Sequence, residues 1–257
     1  MKVNMIGLGK MGLNLALNMK DHWVMLPAGK ITNQVLSQVM SLSKKGDIII
    51  DGGNSDHRDS LNTAKLMEEK GLFFFDVGTS GGVYGARHGA SFMCGGDPEV
   101  FKELEPMLVS IATTNGCLYT GKTGSGHYLK MIHNAMLYGM MQTLGEGFEL
   151  LEASEFDYDM ESVADSLSKS SVIRGWLLEL CANAFRKNPK LTDIKGVIGA
   201  SKTTNWTMES ACELGVPVPV ISLSLMMRFR SKQEDSYSAK LIASLRDEVG
   251  GHKAQEK

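Results

Sequence analysis

Up to residue 123 short apolar runs alternate with helical patterns, and after Gly126 only helical patterns remain; no other feature constrains the fold as much. Strands are expected over residues 3–6, 23–26, 48–51, 72–76 and 91–94, with helices over 11–20, 31–42, 60–70 and 98–108. Strands alternating with helices imply crossover connections and a mainly parallel sheet. Beyond Gly126, helices are expected over 127–153, 160–169, 175–187, 207–214 and 220–245. The reading is an α/β domain over 1–123 followed by an all-helical domain over 124–257. At 257 residues the chain is near the size at which one core gives way to two.

Gly7-Leu8-Gly9-Lys10-Met11-Gly12 is a G-x-G-x-x-G sequence between the first expected strand and helix. The first glycine allows the tight turn, the second lets backbone approach a pyrophosphate, and the third lets helix pack on strand. Free N–H groups and the helix dipole favour the anion. The first domain is therefore read as a Rossmann-like dinucleotide-binding domain. One piece is missing. A second strand should end in a residue that reads the ribose about 20 positions on. Instead the first helix reaches Asp21-His22 and the next strand begins at Trp23, with no room for a connection. A segment is inferred to be absent between residues 22 and 23, which leaves NAD and NADP undecided.

A formal net charge of −2 gives no basic excess for nucleic acid or an anionic membrane. The longest late apolar run, 216–227, is too short to span a bilayer and holds Pro217 and Pro219. Met1 runs almost directly into the glycine loop, leaving no room for a signal peptide. Cys94, Cys117, Cys181 and Cys212 are widely spaced and form no C-x-x-C pair, so neither a disulfide framework nor a metal site is expected. The expected compartment is the cytoplasm.

Two stretches carry chemistry. The glycine-dense run from Asp76 through Ser80, Gly81 and Gly82 to Ala86 reads as a loop offering N–H groups and a hydroxyl to an anion. On the following helix, Lys130, His133, Asn134, Leu137 and Tyr138 share one face. Met131, Ile132, Ala135, Met136 and Met140 cover most of the rest, so the helix is expected to be buried nearly all round. Polar groups on such a helix must be paired or line a cavity. A desolvated lysine has a lowered pKa, which suits a general base. By composition the tail Gly250-Gly251-His252-Lys253 reads as a solvated end.

The chain resembles the 6-phosphogluconate dehydrogenase family, in its short bacterial form, within the β-hydroxyacid dehydrogenase superfamily. The residues that carry the likeness are Gly7 to Gly12, Asp51-Gly52-Gly53-Asn54-Ser55, Thr79-Ser80-Gly81-Gly82 and Gly126-His127-Tyr128-Leu129-Lys130-Met131-Ile132-His133-Asn134. Gly215-Val216-Pro217-Val218-Pro219 and Arg228-Phe229-Arg230-Ser231-Lys232-Gln233-Glu234-Asp235 complete it. The resemblance implies a cytoplasmic, NADP- or NAD-dependent oxidative decarboxylation of 6-phosphogluconate to ribulose 5-phosphate and CO2, without a metal. Gly7, Leu8, Gly9, Lys10, Met11, Gly12, Leu26, Pro27, Ala28 and Asn54 would hold the cofactor, with Asn54 by the nicotinamide. Ser80, Gly81 and Gly82 would hold the carboxylate and hydroxyls of a phosphorylated sugar acid. Lys130 would take the C3 hydroxyl proton, assisted by His133 and Asn134. Tyr138 and Arg228 match phosphate-binding positions. Arg246 and His252 match a tail pair that reaches a neighbouring subunit, which implies a homodimer or dimer-based oligomer with an all-helical dimerisation and substrate domain.

Three positions depart from the family. The acid that protonates the enediol falls at Leu137, a phosphate-binding basic residue is Asn205, for which Lys202 is the nearest substitute, and Ala135 replaces a glycine. The alternative reading is therefore a hydroxyacid dehydrogenase or reductase with a changed substrate and no decarboxylation–protonation step. A non-catalytic dimeric binding protein is the third.

Overall fold

The computed structural model describes residues 25–26, 28–253 and 255. The glycine loop at 7–12, Pro27, the expected elements at 3–6 and 11–20 and the break after His22 lie outside the described residues. The chain divides into two compact units. One runs to Ala135 and takes back Thr203–Ser210, and the other comprises Met136–Lys202 with Ala211 onward.

Among the described residues the first unit holds a four-stranded sheet. β1 (Ile48–Asp51), β2 (Phe73–Ser80), β3 (Ala90–Gly95) and β4 (Ala112–Gly121) lie side by side in that order. They are interleaved with α1 (Lys30–Leu42) before β1, then α2 (His57–Glu68), α3 (Gly82–His88) and α4 (Pro98–Ile111). β1 and β2 pair in parallel, as do β3 and β4, but β3 runs antiparallel to β2. The reason is the connection: a parallel crossover takes a dozen residues or more, and only the short α3 with its flanking glycines joins these strands.

Helices cover both faces of the sheet, and successive side chains divide between them. Ile49 and Phe74 join Leu36 of α1 and Met67 of α2 on one side. Ile50, Phe75, Val77 and Phe92 join Phe101, Leu104 and Leu108 of α4 on the other. That two-sided burial gives the unalternating run Ile48-Ile49-Ile50 its meaning. Burying each such side chain stabilises the fold by about 1.5–3 kcal/mol. Aspartates start two of the helices: Asp56 accepts from Arg58 N (3.0 Å), and Asp97 accepts from Glu99 N (2.8 Å) ahead of Pro98.

Three expectations need correction, and one strand was not foreseen. The 76–86 run is not a loop, since β2 continues to Ser80 and α3 follows. Met25 and Leu26, the described part of the strand expected at 23–26, are not in a strand. β4 was unforeseen because Thr113, Thr114 and Asn115 are exposed and give no apolar run. The helix expected over 220–245 is two, α9 (Pro219–Arg230) and α10 (Tyr237–Gly250), since Ser236 caps a new start by accepting from Ala239 N (3.4 Å).

α5 (Ser125–Glu152) begins in the first unit and continues into the second. α8 (Lys202–Leu214) starts five residues earlier than expected, with Thr204, Thr207 and Ser210 buried in the first unit. In the second unit α6 (Met160–Ser170) and α7 (Trp176–Lys187) pack through Met160, Ala164, Ala182 and Phe185. α10 buries no residue and leaves Tyr237, Leu241, Ile242, Leu245 and Val249 exposed. No helix of the described residues is long and apolar enough to cross a membrane.

Candidate active site

The site is built where the end of β2 meets the first turns of α5. Asp76 is fully buried in β2, and its carboxylate accepts from Gly124 N and His127 N, both at 2.7 Å. These are orphan donors of the α5 start, so a carboxylate from the sheet fixes the helix. Burial pushes the Asp76 carboxyl above the usual carboxylate range. Contact is close enough to exclude side chains: a Cβ at Gly126 would lie 2.3 Å from the carbonyl oxygens of Asp76 and Met93. Likewise a Cβ at Gly78 would lie 2.4 Å from Lys130 Cβ. The stem of Lys130 therefore rests directly on the β2 backbone.

This contact desolvates the lysine. Lys130 is 6% exposed, and burial pulls its pKa down to about 8. Its Nζ lies 3.3 Å from His133 Nδ1, which is also 3.2 Å from Asn134 Oδ1. The other ring nitrogen, Nε2, is 3.2 Å from Ser80 Oγ. Burial and then the Lys130 charge hold the His133 pKa below its ordinary value. Lys130, His133, Asn134 and Ser80, predicted from sequence, are thus brought into one hydrogen-bonded group. Gly81 (φ +116°) and Gly82 (φ +60°) adopt left-handed backbone immediately after Ser80.

Asn54 joins this group by its backbone turn. Its φ is +55°, and its amide clamps one peptide: Thr79 N donates to Oδ1 (2.9 Å) and Nδ2 donates to Thr79 O (3.3 Å). The buried Asp51 carboxylate shapes the loop, accepting from Gly53 N (2.9 Å) and Ser55 Oγ (2.7 Å). A Cβ at Gly53 would fall 2.6 Å from Leu26 O, so this loop sits against the Leu26 backbone. Ala28 is exposed beyond it.

The remaining predicted residues lie in the second unit. Arg228 is 9% exposed, its guanidinium stacked 3.4 Å from the Tyr138 ring centroid, and it donates to Gly199 O (2.6 Å). Tyr138 OH donates to Ser201 Oγ (3.0 Å) and accepts from Ser201 N (2.8 Å). Among the described residues no carboxylate pairs with Arg228. Arg246 and His252 are exposed near the C-terminus and are not part of that cluster. Lys202 and Asn205 are exposed as well, and Leu137 is half-buried. One expectation fails here: α5 is not buried nearly all round, because Met136 and Met140 are 57% and 56% exposed.

Sequence reasoning assigned no role to Asp76, Asp51 or His127. Asp76 had a signal, a charged residue directly after Phe73-Phe74-Phe75. His127 had none; it is buried, with Nδ1 2.8 Å from Ser60 Oγ and Nε2 facing no described polar partner.

Comparison with known proteins bears on the same two segments. Residues 20–121 match the NAD binding domain of 6-phosphogluconate dehydrogenase, and residues 126–256 match the 6-phosphogluconate dehydrogenase C-terminal domain. The putative 6-phosphogluconate dehydrogenase YqeC of Bacillus subtilis is 43% identical over the whole of both chains. That alignment has 298 positions against 257 residues here, so 41 of them face no residue of this chain. The NAD(+)-dependent, decarboxylating 6-phosphogluconate dehydrogenase of Haloferax volcanii is 41% identical, covering 93% of this chain and 79% of its own. Among solved structures, Plasmodium falciparum 6-phosphogluconate dehydrogenase matches with a TM-score of 0.80 and 26% identity, over 100% of this chain and 66% of that one. Mycobacterium tuberculosis 3-hydroxyisobutyrate dehydrogenase shares the fold, with a TM-score of 0.66 and 20% identity over 95% of this chain and 99% of that one. The chain belongs to the 6-phosphogluconate dehydrogenase family of oxidoreductases.

Proposed function

We propose that the protein oxidises and decarboxylates 6-phosphogluconate with a nicotinamide cofactor, Lys130 acting as the general base. The observation that carries this reading is the buried Lys130, its pKa brought down to about 8, beside His133 and Ser80. An amine poised near neutrality can take the C3 hydroxyl proton as hydride leaves that carbon. The resulting β-keto acid loses CO2 with help only at its carbonyl oxygen, where Lys130 can return the proton. Ser80, Gly81 and Gly82 hold the carboxylate and hydroxyls, and Tyr138 and Arg228 are the phosphate ligands, an assignment favoured by a buried guanidinium with no carboxylate partner among the described residues.

The described residues fit a dinucleotide. The Leu26 backbone and Gly53 approach so closely that only glycine fits, and Asn54 is locked beside the end of β2. Asn54, its amide engaged with the Thr79 peptide, would hold the nicotinamide end of the cofactor. Bound there, the cofactor supplies the hydride acceptor. Leu26, Pro27, Ala28 and the glycine loop at 7–12 complete the proposed cofactor set, with the 41 unmatched positions assigned between residues 22 and 23. The exposed apolar side chains of α10 support a homodimer in which Arg246 and His252 complete a neighbouring subunit's site.

A second reading is favoured by Leu137 and Asn205, which remove an acid and a cation from substrate positions. It is a dehydrogenase of a related hydroxyacid that stops at the keto acid. 6-Phosphogluconate labelled at C1, given with NAD or NADP, separates the two. Equal amounts of reduced cofactor and labelled CO2 support decarboxylation; neither product, with 3-hydroxyacids oxidised, supports the second reading. Lys130→Met should remove nearly all turnover in either case, and full retention would point to a binding protein.

A further inference from the structure

We propose that Lys130, His133 and Ser80 form a proton relay that works by exchange between the two neutral tautomers of His133, with Asn134 holding the second tautomer. The relay rests on the dehydrogenase reading and adds to it an exit for the proton that Lys130 removes.

The geometry centres on His133 Nδ1, which has two neighbours of opposite character at nearly equal distance. Lys130 Nζ is 3.3 Å away and Asn134 Oδ1 is 3.2 Å away, while Nε2 faces Ser80 Oγ at 3.2 Å. An ammonium can only donate. When Lys130 is charged, Nδ1 must accept from it, so the ring proton sits on Nε2 and is donated to Ser80 Oγ. When Lys130 is neutral, Nδ1–H is free to donate to Asn134 Oδ1, and Nε2 accepts from the Ser80 hydroxyl. The charge of Lys130 and the direction of the Ser80 hydroxyl are two ends of one switch.

The step balances without a charged intermediate on histidine or serine. Lys130 takes the substrate hydroxyl proton: an O–H bond breaks and an N–H bond forms as hydride departs from the carbon. Lys130 then passes a proton to Nδ1, Nε2–H passes its own to Ser80 Oγ, and the original Ser80 hydroxyl proton leaves to water or to the reacting substrate. Lys130 ends neutral, the ring ends as Nδ1–H, and the serine is restored; when Lys130 next takes a proton the ring returns to Nε2–H by giving its Nδ1 proton to water and taking one from water at Nε2, so one net proton is carried per turnover. Burial and the Lys130 charge, which lower the His133 pKa, keep the ring neutral and favour tautomer exchange over an imidazolium. Burial lowers the Lys130 pKa, and His133 is acted on by burial, then the Lys130 charge, with the Asn134 side chain opposing them. Asp76 on β2 and His127 on the first turn of α5 are engaged with each other at the helix start. On a decarboxylating substrate Lys130 first returns the proton to the carbonyl oxygen as CO2 leaves and takes it again from the enediol hydroxyl; the relay then delivers it to the carbon vacated by CO2, a proton that Leu137 cannot supply.

The test uses the full chain with 15N-labelled histidine, the His133 signals being assigned by their loss in His133→Gln. Between pH 6.5 and 9.5 the ring should change from Nε2–H to Nδ1–H with a midpoint about 8, following Lys130. Lys130→Met should hold Nδ1–H throughout. One unchanging tautomer in the wild type, an imidazolium in this range, or a change that persists in Lys130→Met overturns the relay. The measurement needs no substrate, so absence of turnover would count against the dehydrogenase reading and leave the relay to be judged on the tautomer. With the oxidised hydroxyacid at saturation, Ser80→Ala should lower kcat by about 10²–10⁴-fold with KM little changed. Ser80→Thr, which keeps the hydroxyl, should recover to within about tenfold of wild type. A Ser80→Ala effect confined to KM would show that the serine only holds substrate, and would also overturn the relay.

Discussion

Replacing Asp76 by alanine removes the carboxylate that seats α5 on the sheet. Two buried N–H groups, of Gly124 and His127, lose their acceptor. Leaving one buried donor unmade costs about 1–3 kcal/mol, which sets a ceiling of roughly 6 kcal/mol for the pair. Burial already raises the Asp76 pKa, so desolvation of the carboxylate offsets part of that gain in the native protein. A net loss of about 3 kcal/mol is expected. In the first unit this corresponds to a Tm lower by roughly 6–12 °C. Asp76→Asn keeps one acceptor but turns an amide donor toward the other N–H, and should lose about 2 kcal/mol. Calorimetric Tm of the wild type and both variants at one pH is the assay. Because Lys130 lies one turn beyond the anchored residues, kcat should fall with stability, by at least about tenfold. A loss under about 1 kcal/mol in Asp76→Ala, with kcat unchanged, would falsify the argument that this carboxylate positions the helix.

Three further outcomes are expected. Lys130 must be neutral to accept a proton, so kcat/KM should fall about tenfold per pH unit below about 8 and level above it, measured from pH 6 to 10; a flat profile would assign the base elsewhere. Gly78→Ala places a Cβ 2.4 Å from Lys130 Cβ, and should cost about 1–3 kcal/mol with a clear fall in kcat; wild-type values in both Tm and rate would contradict the contact. If 6-phosphogluconate is the substrate, Leu137→Glu should raise the rate of ketopentose phosphate formation at least about tenfold, as read by product chromatography, and an unchanged rate would show that the proton already has a donor.

The sequence makes legible what depends on periodicity. The spacing of Lys130, His133 and Asn134 places them together on a helix, and that helix exists. Apolar runs at 48–51 and 73–75 lie in β1 and β2, and Asp51 and Asp76 close the runs as buried acceptors. What depends on long-range pairing was less accessible. The direction of β3 follows from the shortness of α3, which read as loop because Gly81 and Gly82 suggested flexibility and not a tight entry into a helix. β4 pairs in parallel with β3 despite an exposed first half, so its backbone hydrogen bonds, not its side chains, define it. The exposure of Met136 and Met140 was missed because helical spacing says which residues share a face, never which faces find a partner.

The anchored start of α5 also has a mechanical consequence. Lys130 stands about 6 Å along the axis from the seated Gly126, and Glu152 about 39 Å, at 1.5 Å per residue. If the helix pivots at its anchored end by 5°, the far end sweeps about 3.4 Å while the lysine travels about 0.5 Å, on the same rise. The helix is a lever with its base near the fulcrum, so displacement at the long arm scarcely disturbs the distances on which the proposed proton transfer depends.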